Sequence, residues 1–264
     1  MPTFALPDGA TLHYKQAGFK HHRTAVVFLN GMTQTTRHWA SQVKVFREDR
    51  PVITYDARGQ GASDPPRSVP TLSEHTADLL ALLDHLDVEE ADLVGFSHGA
   101  RIALGFAEEY PERIRRLVVC SATAEPTAMA RTIIRSWQEI LELGGLEALS
   151  WAAITSIVGP HFLEQNERLL KNIIRASVDR NSEEGVALLL QGLAEFPPLS
   201  EIAGKIKAPT LVLSADSDPL VTPEGARELA RICGGEHALI PKCGHTIPIE
   251  EPELFQEQVL SFLG

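Results

Sequence analysis

One serine of this chain lies in a short segment flanked by glycines, Gly95-Phe96-Ser97-His98-Gly99. When a strand precedes the pattern G-x-S-x-G and a helix follows it, the serine sits on a sharp turn with its hydroxyl exposed. Residues 92–96 form an apolar run of the strand type, and residues 98–109 have helical spacing. This context predicts that Ser97 is a nucleophile.

A serine hydroxyl is a weak nucleophile at neutral pH and needs a base that an acid orients. Where the serine sits on such a turn, the acid and then the histidine follow it along the chain. Asp218 comes just after the apolar run 210–214, and His245 follows the run 238–240. We therefore expect a catalytic triad in which Ser97 attacks, His245 transfers the proton and Asp218 orients the imidazole.

The acid of this triad has a competitor two residues earlier. Asp216 and Asp218 lie in one segment, Ser214-Ala215-Asp216-Ser217-Asp218-Pro219. We favour Asp218 because Pro219 begins a turn that would orient the neighbouring carboxylate. No acidic residue directly follows the run 117–120, so an acid from that position is not expected.

Attack on a carbonyl creates a negative oxygen that two hydrogen-bond donors must stabilise. One donor should be the backbone N–H of His98, which follows the nucleophile. The other should come from the loop after the run 25–29, and we choose the N–H of Met32. Asn30 and Gly31 begin this loop and are expected to contact the substrate; the alternative is an ordinary turn at the end of a strand.

These residues require a scaffold that brings them to one edge. Short apolar runs alternate with helical patterns along the chain, which is typical of a largely parallel sheet covered on both faces. The predicted strands are residues 25–29, 52–55, 92–96, 117–120, 210–214 and 238–240, after a hairpin over 4–17. Four helices are predicted in the same part of the chain. The first follows a capping box of Thr71 and Glu74, the second covers 98–109, the third runs from Pro223 to Gly234-Gly235, and the fourth covers 252–263.

One long region breaks this alternation, because it contains helical patterns without a strand. The predicted helices in it are residues 127–143, 146–158, 164–178 and 183–195. A crossover between parallel strands needs only a dozen or so residues, so we interpret 124–203 as an inserted helical cap and 1–123 with 204–264 as the core domain. Trp137 and Trp151 of the cap could line a substrate pocket; packing within amphipathic helices is the alternative.

Composition excludes several classes of protein. The chain has 264 residues, 44% of them hydrophobic, and a net charge of −11. Such a charge argues against binding nucleic acid or an anionic membrane by bulk attraction. We found no apolar stretch long enough for a membrane span and no secretory signal, and the three cysteines follow no metal-binding spacing. We expect a cytoplasmic protein that needs no metal or organic cofactor and acts on a small molecule; no oligomeric state is predicted.

Beyond these residues, the sequence resembles the α/β-hydrolase superfamily over nearly the whole chain outside the cap. Three further segments carry the resemblance: Asp56-Ala57-Arg58-Gly59-Gln60-Gly61-Ala62-Ser63, Tyr110-Pro111-Glu112-Arg113, and Gly244-His245 with Glu250, Pro252 and Phe255. The resemblance implies an α/β-hydrolase fold, a mostly parallel eight-stranded sheet with helices on both faces and an inserted helical cap.

Within the superfamily, Asn30 with Trp39 and Gln42 is similar to the enol-lactonases and small-ester hydrolases. Two positions depart from the common pattern: Asn30-Gly31 stands where most members have His-Gly, and Gly99-Ala100 where most have Gly-Gly. The resemblance implies a serine hydrolase of a carboxylic ester, lactone or thioester.

Other activities of the same scaffold remain as alternatives. The acyl group could pass to another acceptor, as in an acyltransferase or perhydrolase, or the substrate bond could be C–C, although the glycine-proline oxyanion loop of C–C hydrolases is absent. A serine at position 97 argues against a haloalkane dehalogenase, and a non-catalytic ligand receptor is the remote alternative. Catalytic roles for Asp56, Arg58 and the His98 side chain compete with loop salt bridges and packing, which we favour.

Overall fold

The computed structural model describes residues 2–264 and contains a sheet of eight strands. The strands are β1 (Thr3–Ala5), β2 (Thr11–Ala17), β3 (Ala25–Leu29), β4 (Val52–Tyr55), β5 (Ala91–Phe96), β6 (Ile114–Cys120), β7 (Thr210–Ala215) and β8 (Glu236–Ile240). Their order across the sheet is β1-β2-β4-β3-β5-β6-β7-β8. The pairs β1–β2 and β2–β4 are antiparallel and all others are parallel, so the expected mostly parallel eight-stranded sheet is confirmed.

Eleven α-helices accompany the sheet in the described residues. They are α1 (Ala40–Phe46), α2 (Leu72–His85), α3 (His98–Glu109), α4 (Ala128–Ile157), α5 (Pro160–Asn166), α6 (Leu170–Val178), α7 (Glu183–Glu195), α8 (Leu199–Ala203), α9 (Pro223–Cys233), α10 (Ile247–Glu250) and α11 (Pro252–Leu263). Helices α1 and α11 pack together on one face of the sheet, and α2, α3, α8 and α9 form the layer on the other.

The central strands are apolar at every position because both faces of the sheet are covered. In β3, Val27 and Leu29 pack into one core cluster, whereas Val26 and Phe28 pack into the cluster on the opposite face. Successive side chains of a strand point to opposite faces, so a strand buried on both sides has no polar alternation. The same property made these strands recognisable in the sequence.

Local signals placed most core elements correctly. Thr71 caps α2, accepting a hydrogen bond from the Glu74 N–H while the Glu74 carboxylate accepts one from the Thr71 N–H. Helix α9 ends at Gly234, which has the left-handed conformation (φ 64°) that glycine adopts without strain. Strand β6 begins three residues before the predicted run: its first residue, Ile114, pairs with Ala91 of β5, and the partly exposed Arg115 and Arg116 that follow carry no apolar signal.

The region between β6 and β7 contains helices and no strand in the part of the chain that the structure describes. The interruption predicted at Gly144-Gly145 is present: Gly145 (φ 73°, ψ −175°) is not helical, and the kink there divides α4 into two helical segments, in agreement with the helices predicted over 127–143 and 146–158. The predicted helix over 164–178 begins earlier, at Pro160, and a 3-10 turn over Glu167–Leu169 divides it into α5 and α6. The domain boundaries at 124 and 203 stay a prediction; α8, at the end of the predicted cap, packs on α3 and α9.

Helix α4 is long and apolar enough, by length and composition alone, to cross a membrane, which differs from our expectation. In its most apolar window, 28% of the residues are buried. The kink at Gly145 divides α4 into two arms, each shorter than the roughly 20 residues that a span needs. Both arms contribute to the cavity described below, through Trp137 and Ala153 among others, which accounts for part of the apolar character of α4.

Candidate active site

Ser97 occupies the turn between β5 and α3. Its backbone has φ 52° and ψ −110°, a conformation that costs a non-glycine residue about 1–3 kcal/mol. The Ser97 N–H donates a hydrogen bond of 2.8 Å to the carbonyl of Cys120 at the end of β6. The turn is tight, since a Cβ atom on Gly95 would lie 2.5 Å from the carbonyl oxygen of Gly99 and one on Gly99 would collide with the carbonyl of Leu29.

A continuous chain of hydrogen bonds joins three side chains from separate loops. The Ser97 hydroxyl lies 2.8 Å from Nε2 of His245, and Nδ1 of His245 lies 2.7 Å from Oδ2 of Asp218. With Nδ1 protonated, the ring donates to the carboxylate and Nε2 accepts from the hydroxyl. The second carboxylate oxygen of Asp218 accepts the backbone N–H groups of Leu220 and Val221, at 2.8 and 3.0 Å, so both of its oxygens are held in place.

Asp216 has a different environment. Its carboxylate accepts hydrogen bonds from the backbone N–H groups of Lys242 and Cys243, at 2.9 and 3.3 Å, and from the Ser217 hydroxyl. Burial is the largest single influence on this carboxyl and raises its pKa, but the hydrogen bonds together outweigh it, so the pKa of Asp216 lies below the usual value. The residue therefore ties the loop after β7 to the loop after β8, and the structure brings Asp218, not Asp216, to His245.

The loop of His245 is held from two sides. The Ser121 hydroxyl donates a hydrogen bond of 2.7 Å to the backbone carbonyl of His245. One oxygen of Glu250 accepts the N–H groups of Gly244 and Gly159, at 2.9 and 2.8 Å, and the other accepts the N–H and hydroxyl of Thr246, at 3.0 and 2.7 Å. Because Gly159 directly precedes α5, Glu250 couples the helical region between β6 and β7 to the histidine loop.

The backbone N–H groups of His98 and Met32 stay the predicted donors to an oxyanion. The N–H of His98 belongs to the first residue of α3 and therefore has no acceptor within the helix. Met32 lies in the loop after β3. Met32, Gly31 and Ser97 line one cavity. Gln34 and Gln60 shape this loop: the Gln34 side chain accepts the Gly31 N–H at 3.2 Å, and Gln60 Nε2 donates to the carbonyls of Gly31 and Met32 at 3.0 and 3.1 Å.

The structure gives Asn30 a role different from the predicted substrate contact. Its buried amide nitrogen donates to the Tyr55 carbonyl at 2.8 Å, and its amide oxygen accepts from the Trp39 indole at 2.8 Å. Asn30 does not line the cavity. The predicted substrate contact of Asn30 is therefore wrong. Its side-chain polar groups already bond to Tyr55 and Trp39, so the side chain fixes the start of the loop after β3.

A cavity of about 570 Å³ lies between the sheet edge and the helical region that separates β6 from β7, and Ser97 and His245 line it. Its wall is largely apolar and includes Phe96, Ile134, Trp137, Leu149, Ile154 and Leu220. Trp137 is 7% exposed and faces this space, whereas Trp151 is 43% exposed and does not line it. The expectation for Trp151 is therefore corrected, since it lies on the outer surface of α4.

Comparison with known proteins identifies the family of this chain. A family model for the alpha/beta hydrolase fold matches residues 24–252. This chain belongs to the α/β-hydrolases. The chain is 27% identical to 3-oxoadipate enol-lactonase 2 of Acinetobacter baylyi over 98% of its own length and 97% of that protein.

Solved structures agree with this assignment. The enol-lactonase of Burkholderia xenovorans has a TM-score of 0.91 and 27% identity, with 99% of each chain covered. A thermophilic esterase from Thermogutta terrifontis has a TM-score of 0.87 and 26% identity, covering 99% of this chain and 96% of that one. The similarity thus covers the sheet as well as the helical region between β6 and β7.

Three side chains with possible catalytic roles, Asp56, Arg58 and His98, have structural partners in the α/β-hydrolase. Arg58 pairs with both oxygens of Asp78, at 2.9 and 2.7 Å, and Asp56 accepts the N–H groups of Thr36 and Ala62. The ring of His98 is buried against His75 and Phe196, and burial holds its pKa well below the usual value. None of these three side chains forms a hydrogen bond with the side chain of Ser97 or His245, which fits the packing interpretation.

Sequence reasoning missed two residues of the site. Glu250 was part of a recognised segment, but its role depends on Gly159, which is 91 residues away in the chain. Arg101 lies four residues after Ser97 and lines the cavity; the helical spacing of these two residues was the available signal. In residues 2–264, no group of three or more His, Cys, Asp and Glu side chains has an arrangement that could hold a metal.

Proposed function

We propose that this α/β-hydrolase cleaves a carboxylic ester or lactone through an acyl-enzyme on Ser97. The observation that carries the proposal is the hydrogen-bonded series Ser97–His245–Asp218, with distances of 2.8 and 2.7 Å, in which Ser97 and His245 line a largely apolar cavity. The likeness to enol-lactonases and to an esterase supports the same class of reaction. A thioester of similar size would meet the same groups.

The reaction begins when His245 removes the hydroxyl proton as Ser97 attacks the carbonyl carbon. Asp218 stabilises the imidazolium that forms and keeps its ring oriented. The backbone N–H groups of Met32 and His98 donate to the developing oxyanion, and the position of Ser97 at the start of α3 adds a favourable dipole. His245 then protonates the leaving alcohol or enol oxygen, and the acyl group stays on Ser97.

Deacylation repeats these steps with water as the nucleophile. His245 accepts a proton from water, the resulting hydroxide attacks the acyl carbon, and the carboxylic acid leaves as Ser97 regains its proton. The cap encloses the acyl group in the cavity of about 570 Å³ and determines which substrates fit.

The test compares the wild-type enzyme with Ser97→Ala on p-nitrophenyl acetate and butyrate. We expect kcat/KM to fall by at least about 10³-fold, because the triad acts as a unit. A fluorophosphonate should add its mass to the peptide that contains Ser97 in the wild type only. The control is Ser136→Ala, an exposed serine of α4 whose hydroxyl bonds only the Ile133 carbonyl. Equal hydrolysis rates in wild type and Ser97→Ala would refute the proposal.

A further inference from the structure

The charge of the cavity differs from the charge of the protein. The chain carries a net charge of −11, yet no Asp or Glu lines the cavity in the part of the chain that the structure describes. Two arginines, Arg101 and Arg180, do line it. Because two guanidinium groups and no carboxylate line this cavity, its charge favours an anion although the protein as a whole is acidic.

Arg101 is unusual among the enclosed arginines of the chain because no carboxylate pairs with it. Arg50 is 3.4 Å from a carboxylate oxygen of Asp92, and Arg58 is 2.7 Å from one of Asp78. Arg101 makes no salt bridge or side-chain hydrogen bond with residues 2–264, and its only notable opposite charge is a longer-range interaction with Glu125. The Glu125 carboxylate is exposed and accepts the Ser200 hydroxyl instead.

Burial leaves Arg101 charged but poorly compensated. It lowers the pKa of the guanidinium to about 10, so the group still carries its positive charge at neutral pH. Arg101 is only partly exposed to solvent. A cation that is partly withdrawn from water without a partner is costly, and an anion that binds to it offsets part of this cost. Arg101 therefore offers a positive group without a protein partner to the cavity.

The position of Arg101 links this site to the nucleophile. The Arg101 N–H donates a hydrogen bond of 3.2 Å to the carbonyl of Ser97, so the two residues lie one helical turn apart on α3. Both line the same cavity. A small molecule whose carbonyl lies at Ser97 can thus place a second functional group at the guanidinium without leaving the cavity.

We propose that Arg101 binds a carboxylate carried by the substrate, so that the preferred substrates are esters or lactones that also bear a free carboxylate. The planar fork of a guanidinium matches both oxygens of a carboxylate and gives direction as well as charge. This inference rests on the proposed hydrolase function and adds the substrate class to it. Arg101 is a specificity-determining residue, and Ser97 remains the nucleophile for charged and neutral esters alike.

The experiment uses pairs of p-nitrophenyl esters of succinic, glutaric and adipic acid. In each pair the distal carboxyl group is either free or present as its methyl ester, so that length is retained and only the charge differs. For the wild type we expect kcat/KM to be at least about tenfold higher for the charged member of one pair or more, the range of a charge-assisted hydrogen bond. Free glutarate should inhibit neutral-ester hydrolysis competitively, whereas glutaramide should not.

The variant Arg101→Gln should lower the charged-to-neutral ratio of kcat/KM by about 10- to 100-fold, and Arg101→Lys should lower it less. Arg227→Gln, which removes an exposed arginine of α9, is the matched control and should keep the wild-type ratio. A wild type without preference for the charged esters would overturn the proposal even if Arg101→Gln failed to fold. A ratio that falls only in Arg180→Gln would overturn it as well.

These outcomes are distinct from failure of the proposed function. If neutral esters are hydrolysed in a Ser97-dependent way and the ratio does not depend on Arg101, the hydrolase proposal stands and the carboxylate proposal is wrong. If no ester in either series is hydrolysed above the Ser97→Ala rate, the hydrolase proposal itself fails.

Discussion

Two aspartates only two residues apart in the chain have different tasks in this site. Asp218 is 5% exposed, contacts the His245 ring and receives two further backbone N–H groups. Asp216 is exposed and bonds the loop after β8 at Lys242 and Cys243. A carboxylate can orient an imidazole only at hydrogen-bond distance, so identity of residue type does not imply identity of role.

This difference predicts opposite behaviour of two isosteric variants. Asp218→Asn should lower kcat for p-nitrophenyl butyrate by about 10³- to 10⁴-fold, since an amide no longer stabilises the imidazolium or its tautomer. Asp216→Asn should keep kcat within a few-fold and lower the free energy of unfolding by about 1–2 kcal/mol, because one accepting oxygen of a loop contact is lost. Steady-state kinetics and urea unfolding of both proteins measure this; a larger kcat loss in Asp216→Asn would contradict the assignment.

At the scale of elements, Glu250 joins the histidine loop to the helical region between β6 and β7, the predicted cap. This carboxylate receives hydrogen bonds from Gly159 before α5, from Gly244 and from Thr246. The two glycines are in close backbone contact, since a Cβ on Gly159 would lie 2.8 Å from the Gly244 nitrogen. The position of His245 between Gly244 and Thr246 thus depends on the cap as well as on the sheet.

Glu250→Gln should weaken this junction because an amide accepts on one side only. We expect kcat to fall by about tenfold, the effect of a small displacement of a catalytic group, with a smaller change in KM. The free energy of unfolding should fall by about 1–3 kcal/mol. The matched control, Glu257→Gln, removes the same charge from the exposed side of α11 and should change neither quantity appreciably. Loss of stability with unchanged kcat would limit Glu250 to a structural role.

For the whole molecule, stability depends on pH through histidines buried in their neutral form. Burial lowers the pKa of His75 from 6.5 to about 4, and that of its neighbour His98 also lies well below the usual value. Between pH 6.5 and 4 the unfolded chain therefore binds a proton at His75 that the folded protein does not bind. The free energy of unfolding falls as the pH falls through this window, by up to about 1.4 kcal/mol per pH unit for each such group.

His75→Gln should make the stability less sensitive to acid. Urea unfolding at pH 7 and pH 5 should give a difference that is smaller than in the wild type by about 2 kcal/mol, because one titrating group has been removed. His161→Gln replaces an exposed histidine and should leave the wild-type difference unchanged. The same pH dependence in wild type and His75→Gln would show that His75 does not cause it.

Local signals in the sequence predicted most of the scaffold. The turn at Ser97, the two-sided apolar strands and the capping box of Thr71 and Glu74 depend on residues that are close together in the chain. Steric and hydrogen-bonding rules act over a few residues, so the sequence alone was enough for the strands, for most helices and for the order in which nucleophile, acid and histidine occur. It placed α5 and β6 less well, where the boundaries depend on packing and strand pairing.

Tertiary structure decided which side chains share a space. Ser97 and His245 are 148 residues apart in the chain, and only the sheet brings them to 2.8 Å. Tertiary packing also directs the Asn30 side chain into its own loop and the Trp151 side chain to the surface. It places Arg101 in the cavity without a carboxylate partner. These placements depend on which side chains and backbone groups of distant elements surround each residue. The residues adjacent to it in the chain do not determine those contacts.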